Sequence, residues 1–122
     1  MSSFEIIMKS MTPLFRIFDE EKAKQFYSGF LEFNMDWEHR YEAGLPLYMQ
    51  ISHGDCIIHL TEHHGDCSPG SAIRVEVNNI KYLHTKLISK NYKYARPGLD
   101  SNSKEICIKD PFGNHITFFE KE

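Results

Sequence analysis

The sequence lacks long apolar runs, paired cysteines and an excess of basic charge. No apolar run approaches the roughly 18 residues that span a bilayer, and residues 1–10 lack a basic stretch followed by an apolar one. Three cysteines without CxxC spacing argue against a disulfide framework and fit a reducing compartment. With 14 basic and 17 acidic residues, a net charge of −3 provides no footprint for nucleic acid. We therefore expect a cytoplasmic protein with neither a membrane nor a nucleic-acid partner.

What the sequence does contain is one pattern of elements that occurs twice. The first half predicts a strand at residues 12–18, a helix at 20–31 that begins after Asp19, and strands at 34–41, 47–52 and 56–61. The second half predicts a strand at 72–77, a helix from Asn78 or Asn79 to about Lys90, a short strand at 91–95, a polar loop at 96–103, and strands at 105–109 and 115–119. Such an internal repeat strongly constrains the fold.

The repeat predicts a single α+β domain made of two βαβββ modules. The modules cover residues 11–61 and 72–122, and a linker rich in Gly, Ser and Pro joins them at 62–71. Residues 1–10 carry too many apolar side chains for a free tail. We expect them to form a short strand or an arm that lies on a neighbouring subunit.

Alternation along the strands separates an apolar face from a face of mixed chemistry. The apolar face must pack against the two helices. The other, which we call the mixed face, is either an ordinary solvent-facing surface or the lining of a ligand cleft. The candidate ligand-binding residues on this face are Arg16, Tyr48, His59, Arg74, Glu76, Thr117 and Phe119. A structural Arg–Glu pair is the alternative role for the charged members of this set.

Three histidines near the end of the strand at 56–61 raise the question of a metal site. His59 and His63 have a spacing that places two ligands on one side only in a helix, whereas the pattern here is a strand followed by a loop. We therefore expect His63 and His64 to shape the linker together with Asp66. His59 is left as a general base, a ligand contact or a hydrogen-bonded surface histidine.

The repeat, Phe26-Tyr27 near the end of the first helix, and Asp110-Pro111-Phe112-Gly113-Asn114 before the last strand resemble the vicinal oxygen chelate superfamily. Residues 12–19 and 59–66 look most like its glyoxalase/bleomycin-resistance group. The resemblance implies curved mixed sheets, a homodimer, and ligand crevices formed by the sheets. In drug-binding relatives aromatic side chains stack on the drug, which makes Trp37 and Tyr48 the candidates here.

The resemblance also locates where the metalloenzymes of this superfamily hold their ion. The matching positions are Thr12, His59, Ala72 and Thr117, and only His59 is a competent ligand, so no metal or other cofactor is expected. The implied function is sequestration of a bleomycin-type antibiotic by a homodimer that has no catalytic residues. The alternative is a glyoxalase-like metal-dependent lyase or dioxygenase with a non-standard site around His59. A further possibility is a subunit or sensor whose crevice faces another protein.

Overall fold

Two β-sheets and the helices packed on them form the part of the chain that the computed structural model describes, residues 5–90 and 104–121. The elements in chain order are β1 (Leu14–Arg16), α1 (Glu20–Lys24), a π-helical segment (Gln25–Phe30), β2 (Asn34–His39), β3 (Tyr48–His53), β4 (Cys56–Thr61), β5 (Ala72–Glu76), α2 (Ile80–Ser89), β6 (Glu105–Lys109) and β7 (His115–Phe119). The strand expected at 91–95 and the loop at 96–103 lie outside the described residues. Neither helix of the described part has the length and apolar content needed to cross a bilayer.

The two sheets have related topologies, as the repeat predicts. The first sheet has the order β1-β4-β3-β2 and the second the order β5-β7-β6. In each sheet, the strand that precedes the helix runs parallel to the last strand of its half, and the remaining pairs are antiparallel. The predicted α+β fold with mixed sheets is therefore confirmed.

The first helix differs from the prediction in its second half. Asp19 caps it, since its side chain accepts a hydrogen bond from the Lys22 N–H at 2.9 Å. From Gln25 onward the helix is of the π type, and the Leu31 N–H donates to the carbonyl of Phe26, five residues earlier, at 2.9 Å. The wider turn holds one more residue than an α-helical turn, so Phe26 and its aromatic neighbours Tyr27 and Phe30 are all buried. The helix predicted over 20–31 is therefore present, but its second half is of the π type. In the second half, Asn79 is the cap of α2.

The apolar face of the sheets forms the core together with the helices. Its fully buried strand residues are Phe15, Met49, Ile51, Ile58, Leu60, Ile106 and Ile116. Each buried side chain of this size contributes about 1.5–3 kcal/mol relative to an exposed one. A slip of one residue would turn a whole strand's apolar set toward solvent, so this burial determines the register.

A buried polar network joins the two halves of the chain. The Tyr27 hydroxyl donates to Asp110 Oδ2 at 2.6 Å across 83 positions of sequence. Asn114 Nδ2 donates both to Asp110 Oδ2 at 2.8 Å and to the carbonyl of Arg16 at 2.9 Å. The Ser71 N–H donates to Asn114 Oδ1 at 3.1 Å. The two motifs that carried the family resemblance are thus in direct contact.

Candidate functional site

Strand register arranges the side chains of the first sheet's mixed face in rows across four strands. One row consists of Arg16, Thr61, Tyr48 and His39, and the next row consists of Leu14, His59, Gln50 and Trp37. These residues share a face because directly paired residues of neighbouring strands point to the same side. We call this surface the first mixed face.

Three of the predicted site residues form an aromatic cluster on this face. The rings of Trp37 and Tyr48 are stacked, with centroids 6.0 Å apart and planes inclined by 13°. The His59 ring meets both of them edge-on, at 5.4 Å from Trp37 and 5.2 Å from Tyr48. Trp37 remains 46% exposed, so one part of a rigidly packed indole is available to a flat partner.

His59 is held between two polar neighbours. Its Nδ1 lies 2.6 Å from the Tyr48 hydroxyl and its Nε2 lies 2.9 Å from Gln50 Oε1. Because Oε1 can only accept, Nε2 carries the hydrogen, and Nδ1 accepts from the tyrosine. Burial lowers the pKa of His59 below its ordinary value, which favours this neutral form. Both ring nitrogens are therefore engaged within the protein.

A β-bulge at Asp36 orients the glutamine. The register shifts between Met35 and Trp37, so Asp36 is an extra residue in β2. Its carboxylate accepts from Gln50 Nε2 at 3.1 Å and from the Ser52 hydroxyl at 3.0 Å. Asp36 and Trp37 thus act on the same face although they are adjacent in sequence. Strict alternation places such neighbours on opposite faces, so the sequence pattern did not predict Asp36, Gln50 or Ser52 as site residues.

Residues of the linker at 62–71 contact the row that contains Arg16, Thr61 and Tyr48. Thr61 is fully buried, and its hydroxyl donates to Asp66 Oδ2 at 2.7 Å and accepts from the His63 N–H at 3.0 Å. The pKa of the Cys67 thiol is raised by burial and by Asp66, while Arg16 acts in the opposite direction. Burial, followed by the charge of Asp66, also raises the pKa of Tyr48. Linker residues Asp66 and Cys67 therefore lie beside Arg16, Thr61 and Tyr48 of this row.

The other four predicted residues lie on the mixed face of the second sheet. Arg74 donates to Glu105 at 2.8 Å and lies over the Phe119 ring at 4.7 Å. Glu76 is 3.6 Å from Lys121, and Thr117 is paired in register with Arg74. An Arg–Glu pair does exist on this face, but its glutamate is Glu105. The charges of the second sheet are thus largely paired with one another.

One groove of the described chain lies apart from the aromatic cluster. An open groove of about 680 Å³ lies between the edges of the two sheets, and its lining includes Thr12, Ile57, Arg74 and Glu76. The aromatic cluster instead occupies an open sheet face. A ligand there would be enclosed only if a second surface lay opposite it.

The residues at the superfamily's metal positions do not fit a divalent ion. Thr12, Ala72 and Thr117 offer no strong donor, and the ring nitrogens of His59 already have partners. Within residues 5–90 and 104–121, no group of three or more His, Cys, Asp or Glu side chains is placed to hold a metal ion.

Paired modules with mixed sheets define a protein with the glyoxalase/bleomycin-resistance fold. A family model described as "Glyoxalase superfamily protein" matches residues 1–122, and the chain belongs to this family. A search of curated proteins found no match.

Solved structures with the same fold differ in what they bind. TnmS3, an antibiotic-binding protein from Streptomyces sp. CB03234, has 19% identity and a TM-score of 0.70, covering 96% of this chain and 100% of that one. The bleomycin-binding protein of Streptomyces verticillus, in complex with copper(II)-bleomycin, has 20% identity and a TM-score of 0.69, covering 97% and 100%. Glyoxalase I of Leishmania major, a trypanothione-dependent protein, has 14% identity and a TM-score of 0.71, covering 93% and 87%. At these identities the similarity shows the fold.

Proposed function

We propose that this chain sequesters a planar small molecule of the bleomycin type in a homodimer crevice, in the cytoplasm, without metal or catalysis. The observation that carries the proposal is the half-exposed Trp37, which is fixed by its stack on Tyr48 and by edge contact with His59. A pre-packed aromatic surface binds a flat ring at little cost in conformational entropy. The antibiotic-binding and bleomycin-binding proteins among the structural neighbours support this choice.

The chemistry around the cluster favours binding over catalysis. His59 is neutral, and its Nδ1 lone pair is occupied by the Tyr48 hydroxyl, so a general base would first have to break that bond. The donor set at the superfamily's metal positions does not fit an ion, which leaves no Lewis acid to polarise a substrate. Affinity alone suffices for protection by sequestration.

In the proposed crevice both mixed faces contribute ligand contacts. Arg16, Trp37, Tyr48 and His59 would come from the first sheet, and Arg74, Glu76, Thr117 and Phe119 from the second. A homodimer is part of the proposal because the aromatic cluster is open in the single chain. Ile6 and Met8 of the N-terminal arm are 87% and 92% exposed, and such apolar side chains are suited to contact with a second copy.

Titration with bleomycin, metal-free and copper-loaded, tests the ligand. Trp37 is the only tryptophan, so its fluorescence reports on the proposed site directly. We expect saturable quenching of Trp37 and a matching heat in calorimetry. Trp37→Ala should weaken the calorimetric affinity about tenfold because the stacking surface is lost.

Tyr82→Ala is the matched control, since it removes an exposed aromatic ring from α2. Its affinity should equal that of the wild type. The absence of any heat at high micromolar bleomycin would show that bleomycin is not the ligand. A stoichiometric metal whose removal abolishes an enzymatic activity contradicts sequestration and favours the glyoxalase-like alternative.

The proposed dimer has its own test in sedimentation or light scattering. We expect a dimeric mass at micromolar concentration, and we expect Ile6→Ser combined with Met8→Ser to shift the chain toward the monomer. The pair Glu5→Ser and Lys9→Ser removes charged side chains from the same arm and should leave the mass unchanged. A monomeric wild type would remove the dimer crevice from the proposal.

A further inference from the structure

Arg16 is the one arginine of the described chain without a carboxylate partner. Arg40 is paired with Glu20, and Arg74 is paired with Glu105 at 2.8 Å. By contrast, Arg16 forms no ion pair or side-chain hydrogen bond within residues 5–90 and 104–121, and its Nε is enclosed without an acceptor. A guanidinium carries five N–H donors and normally meets acceptors in a protein. Its donor capacity is thus unused on a face that we propose to bind ligand.

The surroundings of Arg16 hold the cation in place without neutralising it. Its guanidinium carbon lies 4.6 Å from the centroid of the Phe18 ring, and Phe18 in turn packs against Phe112 at 6.1 Å. Asp66 is the nearby linker carboxylate, but its Oδ2 accepts from Thr61 at 2.7 Å and it forms no ion pair with Arg16 among the described residues. The side chain is therefore supported by aromatic contacts and remains available to an external acceptor.

The position of Arg16 relative to the aromatic cluster suggests the size of the ligand. Arg16 and Tyr48 belong to the same row, and β4 is the single strand that separates their strands. Two strand spacings correspond to about 10 Å along the row. A molecule with a flat ring at the Tyr48 end of the aromatic cluster could thus place a charged group at Arg16 if that group is about 10 Å from the ring.

We infer that Arg16 binds an anionic group of the ligand, so that the planar molecule held on this face carries a carboxylate or a similar acceptor group. This inference rests on the proposed function of the first mixed face. The planar guanidinium matches the two oxygens of a carboxylate, and such charge-assisted bonds are stronger than neutral ones. Asp36, the carboxylate at the opposite edge of the face, already accepts two hydrogen bonds within the protein.

A pair of isosteric probes tests the inference by calorimetry. A stilbene carboxylate has a flat ring at one end and an anion at the other, and the corresponding stilbene carboxamide has the same shape without the charge. For the wild type we expect the carboxylate to bind about tenfold more tightly than the carboxamide. Added salt should reduce this preference, since the ion pair would lie on an open face.

Substitutions of Arg16 separate charge from shape. In Arg16→Gln the two probes should bind equally, whereas Arg16→Lys should retain part of the preference because it keeps the charge without the planar fork. Lys22→Gln is the matched control, since it removes one positive charge from an exposed position on α1 and should leave the preference intact. Thermal unfolding of each variant verifies that it is folded.

The outcomes distinguish the inference from the proposed function. If both probes bind the wild type equally, or if Arg16→Gln keeps the tenfold preference, the anion site is wrong while the aromatic site stands. If neither probe binds and bleomycin does not change Trp37 fluorescence either, both are overturned. The inference is supported if Arg16→Gln loses the preference for the carboxylate and Lys22→Gln keeps it.

Discussion

At the scale of single residues, His59 shows how its neighbours decide the chemistry of a histidine. A histidine on a sheet face could hold a metal, transfer a proton or bind a ligand. Here Tyr48 and Gln50 use both ring nitrogens, and burial lowers the pKa. The residue that sequence singled out as a possible metal ligand is instead the neutral centre of a hydrogen-bonded cluster.

The lowered pKa of His59 predicts a pH dependence of stability. The unfolded histidine titrates near 6.5, whereas the folded one takes up its proton only at lower pH, so the unfolded state binds more protons as the pH falls. Stability contributed by neutral His59 is thus present above pH 6.5 and is lost as the pH falls through the folded pKa. Between about pH 7.5 and pH 5.5 we expect a loss of at most about 1 kcal/mol from this group, because it is partly exposed to solvent.

Urea unfolding followed by Trp37 fluorescence measures this effect. His59→Gln cannot titrate, so its free energy of unfolding should fall less over the same pH range than that of the wild type. His84→Gln, which removes a histidine from α2, serves as the control. Its free energy of unfolding should fall over this pH range by as much as that of the wild type. Parallel pH profiles for wild type and His59→Gln would show that His59 does not contribute.

At the scale of elements, the bulge in β2 has a consequence for the whole aromatic cluster. The extra residue brings Asp36 to the same face as Trp37, where it fixes the orientation of the Gln50 amide. That orientation in turn assigns the hydrogen of His59 to Nε2. A local irregularity of one strand thereby determines the tautomer of a residue two strands away.

Asp36→Ala tests this relay. Without the carboxylate the Gln50 amide can rotate, and we expect His59 to change from a single Nε2–H tautomer to a mixture of the two neutral forms. Nitrogen chemical shifts of the imidazole ring in NMR spectra measure the tautomer directly. Asp55→Ala, in the turn between β3 and β4, is the control and should leave the tautomer unchanged. An unchanged tautomer in Asp36→Ala would contradict the relay.

At the scale of the whole molecule, the Tyr27–Asp110 bond connects the halves that the repeat generates. Asp110 is 4% exposed, and its two oxygens also accept from Asn114 and from the turn's own N–H groups. The pKa of Tyr27 is well above its ordinary value because of burial first and the charge of Asp110 second, so the hydroxyl remains a donor. The network therefore stabilises the joint between the modules.

Tyr27→Phe removes one donor from this network and keeps the ring. We expect the free energy of unfolding to fall by about 1.5–3 kcal/mol, the usual value of a hydrogen bond to a charged group. Tyr41→Phe is the matched control, since Tyr41 is 77% exposed, and its change should lie within about 0.5 kcal/mol. Equal losses in the two variants, measured by urea unfolding, would exclude a special role for the bond.

Sequence and structure agree best where the determinants are local. The bounds of β4, β6 and β7 match the predicted strands, and Asp19 caps the first helix as expected. Alternation and capping depend on residues close together in the chain, so a single sequence contains the information for them. The same alternation identified the mixed face and placed Tyr48 and His59 on it, whereas Trp37 was a candidate because of the family resemblance.

The sequence by itself therefore determined the repeat, the apolar faces and most of the strands, because these follow from short-range periodicity. Only the tertiary structure decided that the first helix becomes a π-helix at Gln25, that β2 bulges at Asp36, and that Arg16 has no carboxylate partner in the described chain. Each of these depends on which residues meet across strands or across the two halves. Packing and hydrogen bonding between distant segments select among local geometries of similar energy, and a linear pattern does not contain that choice.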